Sequence, residues 1–223
     1  MGAQTIQAIL FDLDGLMVDS EAHALATWKD VLARRHVELD QATIDAMLGL
    51  RQIETSKMLI ERFHLIDDAH ALGEEKSESQ IAQLDGNTPA LPGLFELIDA
   101  VDARGLRRAV ASSGARRYII AVLKSIGLDD SFSVIVSGDD VPHGKPAPDI
   151  FLRASERLGV APAACLVLED APAGVAAAKA AGMFCVAVPN AFSRDLDLAA
   201  ADYRLPSLIH VRDALDMLLR TGG

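Results

Sequence analysis

An apolar run over 6–11, Ile-Gln-Ala-Ile-Leu-Phe, leads directly into Asp12-Leu13-Asp14-Gly15. Four of the six residues in this run are large hydrophobes and none is charged, which is typical of a buried parallel strand. Gly15 lets the chain turn away after the strand without a Cβ clash. Because ligands bind outside the carboxyl ends of the strands in open α/β sheets, the sequence predicts that Asp12 and Asp14 face an arriving substrate.

The spacing of Asp12 and Asp14 indicates a site for a divalent cation. Two carboxylates two residues apart repel each other unless a cation neutralises them, and Mg²⁺ prefers such oxygen ligands. A cation also lets a carboxylate approach a phosphoryl group. Asp12 can then attack phosphorus while Asp14 gives a proton to the leaving oxygen and later activates water. The alternative is an ordinary strand-end turn, since Asp and Gly both favour turns.

Strand-like and helical runs alternate through the second half of the chain, which predicts an α/β fold with a mostly parallel sheet and helices on both faces. Strands are predicted at 107–112, 133–137, 165–169, 184–188 and, from a weaker pattern, 202–205. Helices are predicted at 93–104, 115–127, 147–159, 173–181 and 207–219.

A helical cap is predicted between the first strand and the rest of the sheet. The gap of roughly ninety residues before the second strand is too long for a single crossover helix. Apolar residues at helical spacing favour helices over 21–36 and 52–64, and a polar third helix is predicted over 67–84. We therefore expect a core formed by 1–15 and 93–223, and a cap formed by 16–92 with hinges at 16–20 and 86–92.

Polar side chains follow each of the later strands. Ser112 and Ser113 come before a helix start, where hydroxyls and free amides can hold a phosphate, although an ordinary helix cap is the alternative. Lys145 lies between Gly and Pro, and its ammonium can neutralise a phosphate oxygen. Glu169 and Asp170 directly follow a buried strand, where carboxylates are costly without a cation. They are predicted as a second set of metal ligands opposite the first strand.

Taken in order, these stretches resemble the haloacid dehalogenase-like hydrolase superfamily, in the branch that contains β-phosphoglucomutase and the sugar and polyol phosphate phosphatases. The resemblance rests on Phe-Asp-Leu-Asp-Gly at 11–15, Ala-Ser-Ser at 111–113, Gly-Lys-Pro-Ala-Pro-Asp-Ile-Phe at 144–151 and Leu-Glu-Asp-Ala-Pro-Ala-Gly at 168–174. It covers almost the whole chain. It implies a Rossmann-like, doubly wound core with a helical cap inserted after the first motif.

The resemblance also implies a role for each matching residue. Asp12 would be the nucleophile and Asp14 the general acid and base, while Ser112 and Lys145 would hold the transferring phosphate. Mg²⁺ would be bound by Asp12, by the main-chain carbonyl of Asp14, by Asp170 and, directly or through water, by Glu169. An acid at position 14 points to phosphoester chemistry, since dehalogenases and phosphonatases generally lack one there.

Hydrolysis and mutase action share this core, and the cap distinguishes them. The cap residues Arg51 and Lys76, with Arg116 at the rim, fall near positions that contact the substrate in related enzymes. For Lys76 and Arg116 the alternative is a solvated charge on an exposed helix. The mutases carry Thr-x-x-x-His at the first hinge, whereas Ser20 and Ala24 occupy those places here. This difference favours a phosphatase.

Composition limits the partners of the 223-residue chain. Its formal net charge of -11 argues against nucleic acid and anionic membranes, which attract basic surfaces. Cys165 and Cys185 lie in apolar runs and are predicted to be buried thiols. No leader or membrane-spanning run is evident, so a cytoplasmic location is expected. No heptad pattern indicates a dimer, and a monomer or another oligomer remains open.

The sequence thus predicts a Mg²⁺-dependent phosphatase that acts on a small phosphorylated sugar or polyol through an aspartyl-phosphate intermediate. A β-phosphoglucomutase-like phosphohexomutase is the nearest alternative. A non-catalytic regulator that binds a phosphorylated metabolite is a third hypothesis. The substrate itself is not fixed by any motif, because specificity in this architecture depends on cap contacts.

Overall fold

The computed structural model describes residues 5–47, 50–84 and 89–220. Its centre is a sheet of six parallel strands in the order β3-β2-β1-β4-β5-β6. The strands are β1 Ala8–Phe11, β2 Arg107–Ala111, β3 Val134–Val136, β4 Cys165–Glu169, β5 Phe184–Ala187 and β6 Tyr203–Arg204. The predicted α/β fold with a doubly wound parallel sheet is confirmed.

Helices connect the strands and also form the cap. Of the five described helices between β1 and β2, the first four lie in the cap: α1 Glu21–Ala33, α2 Gln41–Met47, α3 Gln52–Phe63 and α4 Ala69–Ala82. Five more belong to the core: α5 Leu94–Asp102, α6 Arg116–Ser125, α7 Asp149–Leu158, α8 Pro172–Ala180 and α9 Leu208–Leu218. None of these described helices is long and apolar enough to cross a membrane.

The sheet is covered on both faces because successive residues of a strand point to opposite sides. In β1, Ile9 and Phe11 belong to one apolar cluster, which also contains buried residues of α5, α6 and α9. Ala8 and Leu10 belong to a second cluster with residues of α7 and α8. All four residues of β1 are buried, as the continuous apolar run predicted.

The cap has its own small apolar core. Trp28, Val31 and Leu32 of α1 pack with Leu59 of α3 and Leu72 of α4. Four of these five buried residues lie in the helices that the apolar spacing predicted over 21–36 and 52–64. The sequence analysis predicted no helix over 41–47, where α2 lies.

Two chain segments join the cap to the core side by side. Val18 pairs with Ala90 in an antiparallel bridge, and the Leu91 amide donates to the Met17 carbonyl at 2.8 Å. The predicted hinge at 86–92 lies partly outside the described residues, since 85–88 are not described. The domain limits at 15–16 and 92–93 stay predictions.

The strand order places a ligand-binding crevice beside β1. From β1 the chain adds β2 and β3 on one side of the sheet, and β4, β5 and β6 lie on the other. Such a reversal is the topological switch point at which open α/β sheets bind ligands, outside the carboxyl ends of the strands. Asp12 directly follows β1, and Asp170 directly follows β4.

Candidate active site

A buried lysine links two carboxylates at this crevice. The Lys145 ammonium donates to Asp12 Oδ1 at 2.5 Å and to Glu169 Oε1 at 2.6 Å. It also donates to the Ala111 carbonyl at the end of β2, at 3.3 Å. The three charged side chains are at most 9% exposed. The chain thus brings residues from three distant motifs into direct contact.

The charges at this site strongly influence one another. Burial raises the pKa of the Asp12 carboxyl to about 8, against the opposing effect of the Lys145 ammonium. The negative charges of Glu169 and Asp14 contribute to this increase. Burial acts to lower the pKa of Lys145, but the charges of Asp12 and Glu169 outweigh it, so this pKa lies above its ordinary value. One ammonium is therefore not enough to neutralise the surrounding carboxylates.

The Glu169 carboxylate is fixed at the end of β4. Its Oε2 accepts hydrogen bonds from the backbone amides of Asp170 at 2.9 Å and Ala171 at 3.0 Å. Gly174, in the first turns of α8, leaves the space that this carboxylate fills, and a Cβ there would overlap it. Oε1 is left to meet Lys145.

Asp12, Glu169 and Asp170 form a group that fits a metal ion. One carboxylate oxygen of each lies within 4.8 Å of the others, and all three residues are buried. Three buried carboxylates are an unfavourable arrangement without a divalent cation, and oxygen ligands of this kind suit Mg²⁺. These residues would hold the ion, and they include three of the four predicted metal ligands.

Two further residues shape the Asp170 side of this group. The Asn190 amide donates to Asp170 Oδ2 at 2.7 Å and to the Gly15 carbonyl at 3.0 Å. Gly15 has a φ of +77°, and a Cβ there would lie 2.5 Å from Asp170 Oδ2. Any other residue at position 15 would be strained and would also press on the carboxylate.

The Asp14 side chain is not part of this group of three carboxylates and accepts hydrogen bonds from hydroxyls. Its Oδ1 accepts from Ser20 Oγ at 2.5 Å and from the Tyr118 phenol at 2.8 Å. Its Oδ2 accepts a longer bond of 3.3 Å from Ser112 Oγ. Burial, with the adjacent Asp14 charge, raises the pKa of Tyr118 well above its ordinary value, so the phenol stays a donor. The predicted main-chain contact of Asp14 with the metal remains a prediction.

The predicted phosphate-binding serines lie beside these acids. The Ser112 amide donates to the Val136 carbonyl of β3 at 3.1 Å, which holds Ser112 at the carboxyl ends of β2 and β3. Ser112 Oγ accepts from the Gly114 amide at 3.1 Å. Ser112, Ser113 and Lys145 line the same cavity as Asp12 and Asp14. The structure therefore assembles the candidate phosphate-binding residues and the candidate acids around one space.

The cavity has a volume of about 270 Å³ and lies between core and cap. The cap contributes Trp28, Lys76 and Gln80 to its lining, among others. Lys76 is 8% exposed, its ammonium donates to Gln80 Oε1, and it lies 6.0 Å from the centre of the Trp28 ring. Burial lowers its pKa to about 8 against the raising effect of Asp14.

The other two predicted substrate residues are engaged outside the cavity lining. Arg51 donates to Glu54 Oε1 at 2.9 and 2.7 Å, and its side chain fills the space beside Gly144 in the core. Arg116 contacts Asp140 at 3.3 Å. Lys76 is thus the predicted cap residue that the structure places at the cavity, and the roles of Arg51 and Arg116 stay predictions.

Two site residues were not identified from the sequence. Tyr118 lies on the buried face of α6, where its spacing indicates only an apolar contact. Asn190 lies after β5. Predicted site residues directly follow β1, β2 and β4, so the polar residue after β5 was the one sequence feature that could have indicated it. Both contacts depend on tertiary packing that local patterns do not encode.

Comparisons with known proteins agree with the resemblance found in the sequence. A family model described as haloacid dehalogenase-like hydrolase matches residues 9–188. Protein CbbY of Rhodobacter capsulatus is 34% identical over 219 residues, covering 91% of this chain and 94% of its own. Fructose-1-phosphate phosphatase YqaB of Escherichia coli is 36% identical over 182 residues, covering 81% and 95%. A crystal structure of β-phosphoglucomutase from Clostridium difficile superposes with a TM-score of 0.84 at 26% identity, covering 96% of this chain and 97% of that one.

Proposed function

The chain belongs to the haloacid dehalogenase-like hydrolases, and on that premise we propose that it is a Mg²⁺-dependent phosphatase of small sugar or polyol phosphate monoesters. The observation that carries this proposal is the contact of Lys145 with both Asp12 and Glu169, with Asp14 lining the same cavity. Asp12 as nucleophile, Lys145 as a cation for the phosphate and Asp14 as a separate acid thus surround one small cavity.

The residues have distinct roles in the proposed reaction. Asp12 attacks phosphorus and forms an aspartyl phosphate, while Asp14 protonates the leaving oxygen and then takes a proton from the attacking water. Lys145 and Ser112 hold the transferring phosphate oxygens. Mg²⁺, held by Asp12, Glu169 and Asp170, would neutralise the carboxylates and the incoming phosphate. Ser113, beside Ser112 in the lining, offers a further donor.

The cavity supports a small substrate. Its volume of about 270 Å³ suits a phosphorylated metabolite rather than a polymer, and the cap residues that line it would exclude bulk water. Lys76 supplies a cation on the cap side, which suits a leaving group with oxygen acceptors. The likeness to a fructose-1-phosphate phosphatase supports a sugar phosphate. We propose no nucleic acid or membrane partner, and a cytoplasmic location stays an expectation.

A phosphohexomutase is the second candidate, supported by the structural likeness to a β-phosphoglucomutase. The two activities differ in what meets the aspartyl phosphate: water in a phosphatase and a sugar hydroxyl in a mutase. Ala24 in the first turn of α1, where the mutases carry histidine, favours the phosphatase. A silent regulator is the third hypothesis, and turnover of any substrate would exclude it.

Phosphorus NMR tests this proposal directly. The protein is incubated with Mg²⁺ and a panel of hexose, pentose and glycerol monophosphates, including β-glucose 1-phosphate with a trace of glucose 1,6-bisphosphate. We expect inorganic phosphate to accumulate, and to stop accumulating when the metal is chelated. Asp12→Asn should abolish turnover and leave the fold intact by circular dichroism. Conversion to glucose 6-phosphate without free phosphate would instead establish the mutase.

A further inference from the structure

Tyr118 reaches the candidate acid from the buried face of a core helix. It lies in the first turn of α6, its side chain is 4% exposed, and its hydroxyl donates to Asp14 Oδ1 at 2.8 Å. The ring packs closely on Gly114, where a Cβ would approach it to 3.1 Å. The aromatic body therefore packs against the core while the hydroxyl ends at Asp14.

The two oxygens of Asp14 have unequal surroundings. Oδ1 accepts two short bonds, from Tyr118 at 2.8 Å and from Ser20 at 2.5 Å. From the residues that the structure describes, Oδ2 accepts a single longer bond of 3.3 Å, donated by Ser112. A carboxylate oxygen that already accepts hydrogen bonds from two hydroxyl groups is poorly suited to bind a proton of its own. The geometry therefore distinguishes an oxygen that is held from one that is available for proton transfer.

We propose that Tyr118 is a positioning residue for Asp14, holding Oδ1 together with Ser20 so that Oδ2 transfers the proton to and from the reacting oxygens. This inference rests on the proposed function. When the Asp12 oxygen bonds to phosphorus, the bond to the leaving oxygen breaks and the proton on Asp14 Oδ2 moves to that oxygen. In hydrolysis a water proton returns to Oδ2 as the water oxygen attacks phosphorus and Asp12 is released.

This role predicts a dependence on the leaving group that a merely structural role would not produce. An alkyl phosphate expels a strongly basic oxygen and needs the proton, whereas 4-nitrophenyl phosphate expels a stabilised phenolate and does not. The value of kcat/KM reports steps up to the first irreversible one, which is formation of the aspartyl phosphate. Misplacing the acid should therefore lower kcat/KM for the alkyl phosphate alone.

The test compares Tyr118→Phe with wild type on two substrates. One is 4-nitrophenyl phosphate, and the other is the alkyl phosphate that wild type turns over fastest, with fructose 1-phosphate tried first. Tyr203→Phe is the matched control, because Tyr203 is the chain's other tyrosine and its ring contacts Phe184 on β5. Ser20→Ala removes the other donor to Oδ1 and serves as a second variant.

We expect Tyr118→Phe to lower kcat/KM for the alkyl phosphate by about tenfold or more, because positioned acid catalysis is worth at least ~10²-fold. We expect less than about a threefold change for 4-nitrophenyl phosphate. Ser20→Ala should likewise lower kcat/KM mainly for the alkyl phosphate. Tyr203→Phe should leave kcat/KM for both substrates unchanged. Equal losses on both substrates, or none, would overturn the inference and leave the phosphatase standing. A wild type inactive on every substrate would overturn the proposed function instead.

Discussion

At the proposed metal site, raising the pH should strengthen Mg²⁺ binding, because the metal and a proton would compete for Asp12. Burial raises the pKa of this carboxyl to about 8 in the metal-free protein, so at neutral pH the metal-free site favours the protonated form. A metal ligand must be deprotonated, and the proton is therefore released on binding. The measured dissociation constant is the intrinsic one multiplied by one plus the ratio of protonated to ionised Asp12.

The size of this effect follows from the pKa of Asp12. With a value of about 8, that factor falls from roughly 100 at pH 6 to roughly 2 at pH 8. The dissociation constant for Mg²⁺ should therefore decrease roughly 50-fold between these pH values, which corresponds to about 2 kcal/mol. Above pH 8 it should approach a constant value, because Asp12 is then ionised without the metal.

Isothermal titration calorimetry of the metal-free protein with MgCl₂ measures this dependence. Repeating each titration in two buffers of different ionisation enthalpy counts the protons released, and we expect about one per ion at pH 6 and fewer at pH 8. Asp12→Asn is the control, since the Mg²⁺ affinity of this variant should change little between pH 6 and pH 8. A wild-type affinity that is constant from pH 6 to 8, or an equal pH dependence in Asp12→Asn, would refute the reasoning.

The same linkage affects stability. The unfolded chain releases the Asp12 proton near its ordinary pKa of 3.8, whereas the folded metal-free protein keeps it up to about 8. As the pH rises between these values, the unfolded state binds fewer protons than the folded state, so the free energy of unfolding decreases. Mg²⁺ bound at the proposed site would remove this loss by replacing the proton. The increase in Tm on adding Mg²⁺ should therefore be larger at pH 8 than at pH 6.

Three further predictions concern single side chains. Lys76→Met should raise the free energy of unfolding in urea by about 1 kcal/mol, because it removes a buried ammonium, and should raise KM for the phosphorylated substrate in steady-state kinetics. Gly174→Ala should weaken Mg²⁺ binding by calorimetry about tenfold or more, since the new Cβ overlaps the Glu169 carboxylate, even though alanine favours a helix by up to ~1 kcal/mol. Burial opposes ionisation of Asp140, but hydrogen bonds from Ser137 and Arg157 outweigh it and lower its pKa to about 2. Asp140→Asn should therefore lower the free energy of unfolding by about 1–2 kcal/mol at pH 7, and urea titrations should show this difference shrinking as the pH falls from about 4 to about 2.

The strands were predictable because buried parallel strands are short continuous apolar runs, whose position depends little on the rest of the chain. The runs predicted at 107–112 and 165–169 correspond to β2 and β4. The ends of the cap helices were less predictable. The helix predicted over 21–36 ends at Ala33, and His36 beyond it adopts a φ of +57°. Helix α2 has seven residues and buries only Thr43, so it lacks the apolar periodicity on which the prediction depended.

The residues predicted at the candidate site divide by the kind of position they occupy. Three of the predicted residues lie at the ends of strands, namely Asp12 after β1 and Glu169 and Asp170 at the end of β4, and Lys145 lies in a loop between Gly144 and Pro146. A parallel sheet brings the carboxyl ends of its strands together regardless of the side chains they carry. Long side chains on helices lack such a constraint. Arg51 can reach several partners, and its pairing with Glu54 depends on a rotamer that spacing along the chain does not determine.

The partners of Asp14 also connect the fold to the choice between hydrolysis and mutase action. Its three hydroxyl donors are Ser20 at the hinge, Ser112 after β2 and Tyr118 on α6. Ser112 and Tyr118 belong to the core, whereas Ser20 is the N-cap residue of the cap helix α1, so two of these donors orient the acid independently of the cap helices. Movement of the cap helices would then leave the bonds from Ser112 and Tyr118 to Asp14 in place, so that Asp14 could activate water on the aspartyl phosphate even while the cap admits solvent. A mutase needs the opposite, an acid that is effective only when the cap excludes water, and this arrangement therefore favours hydrolysis.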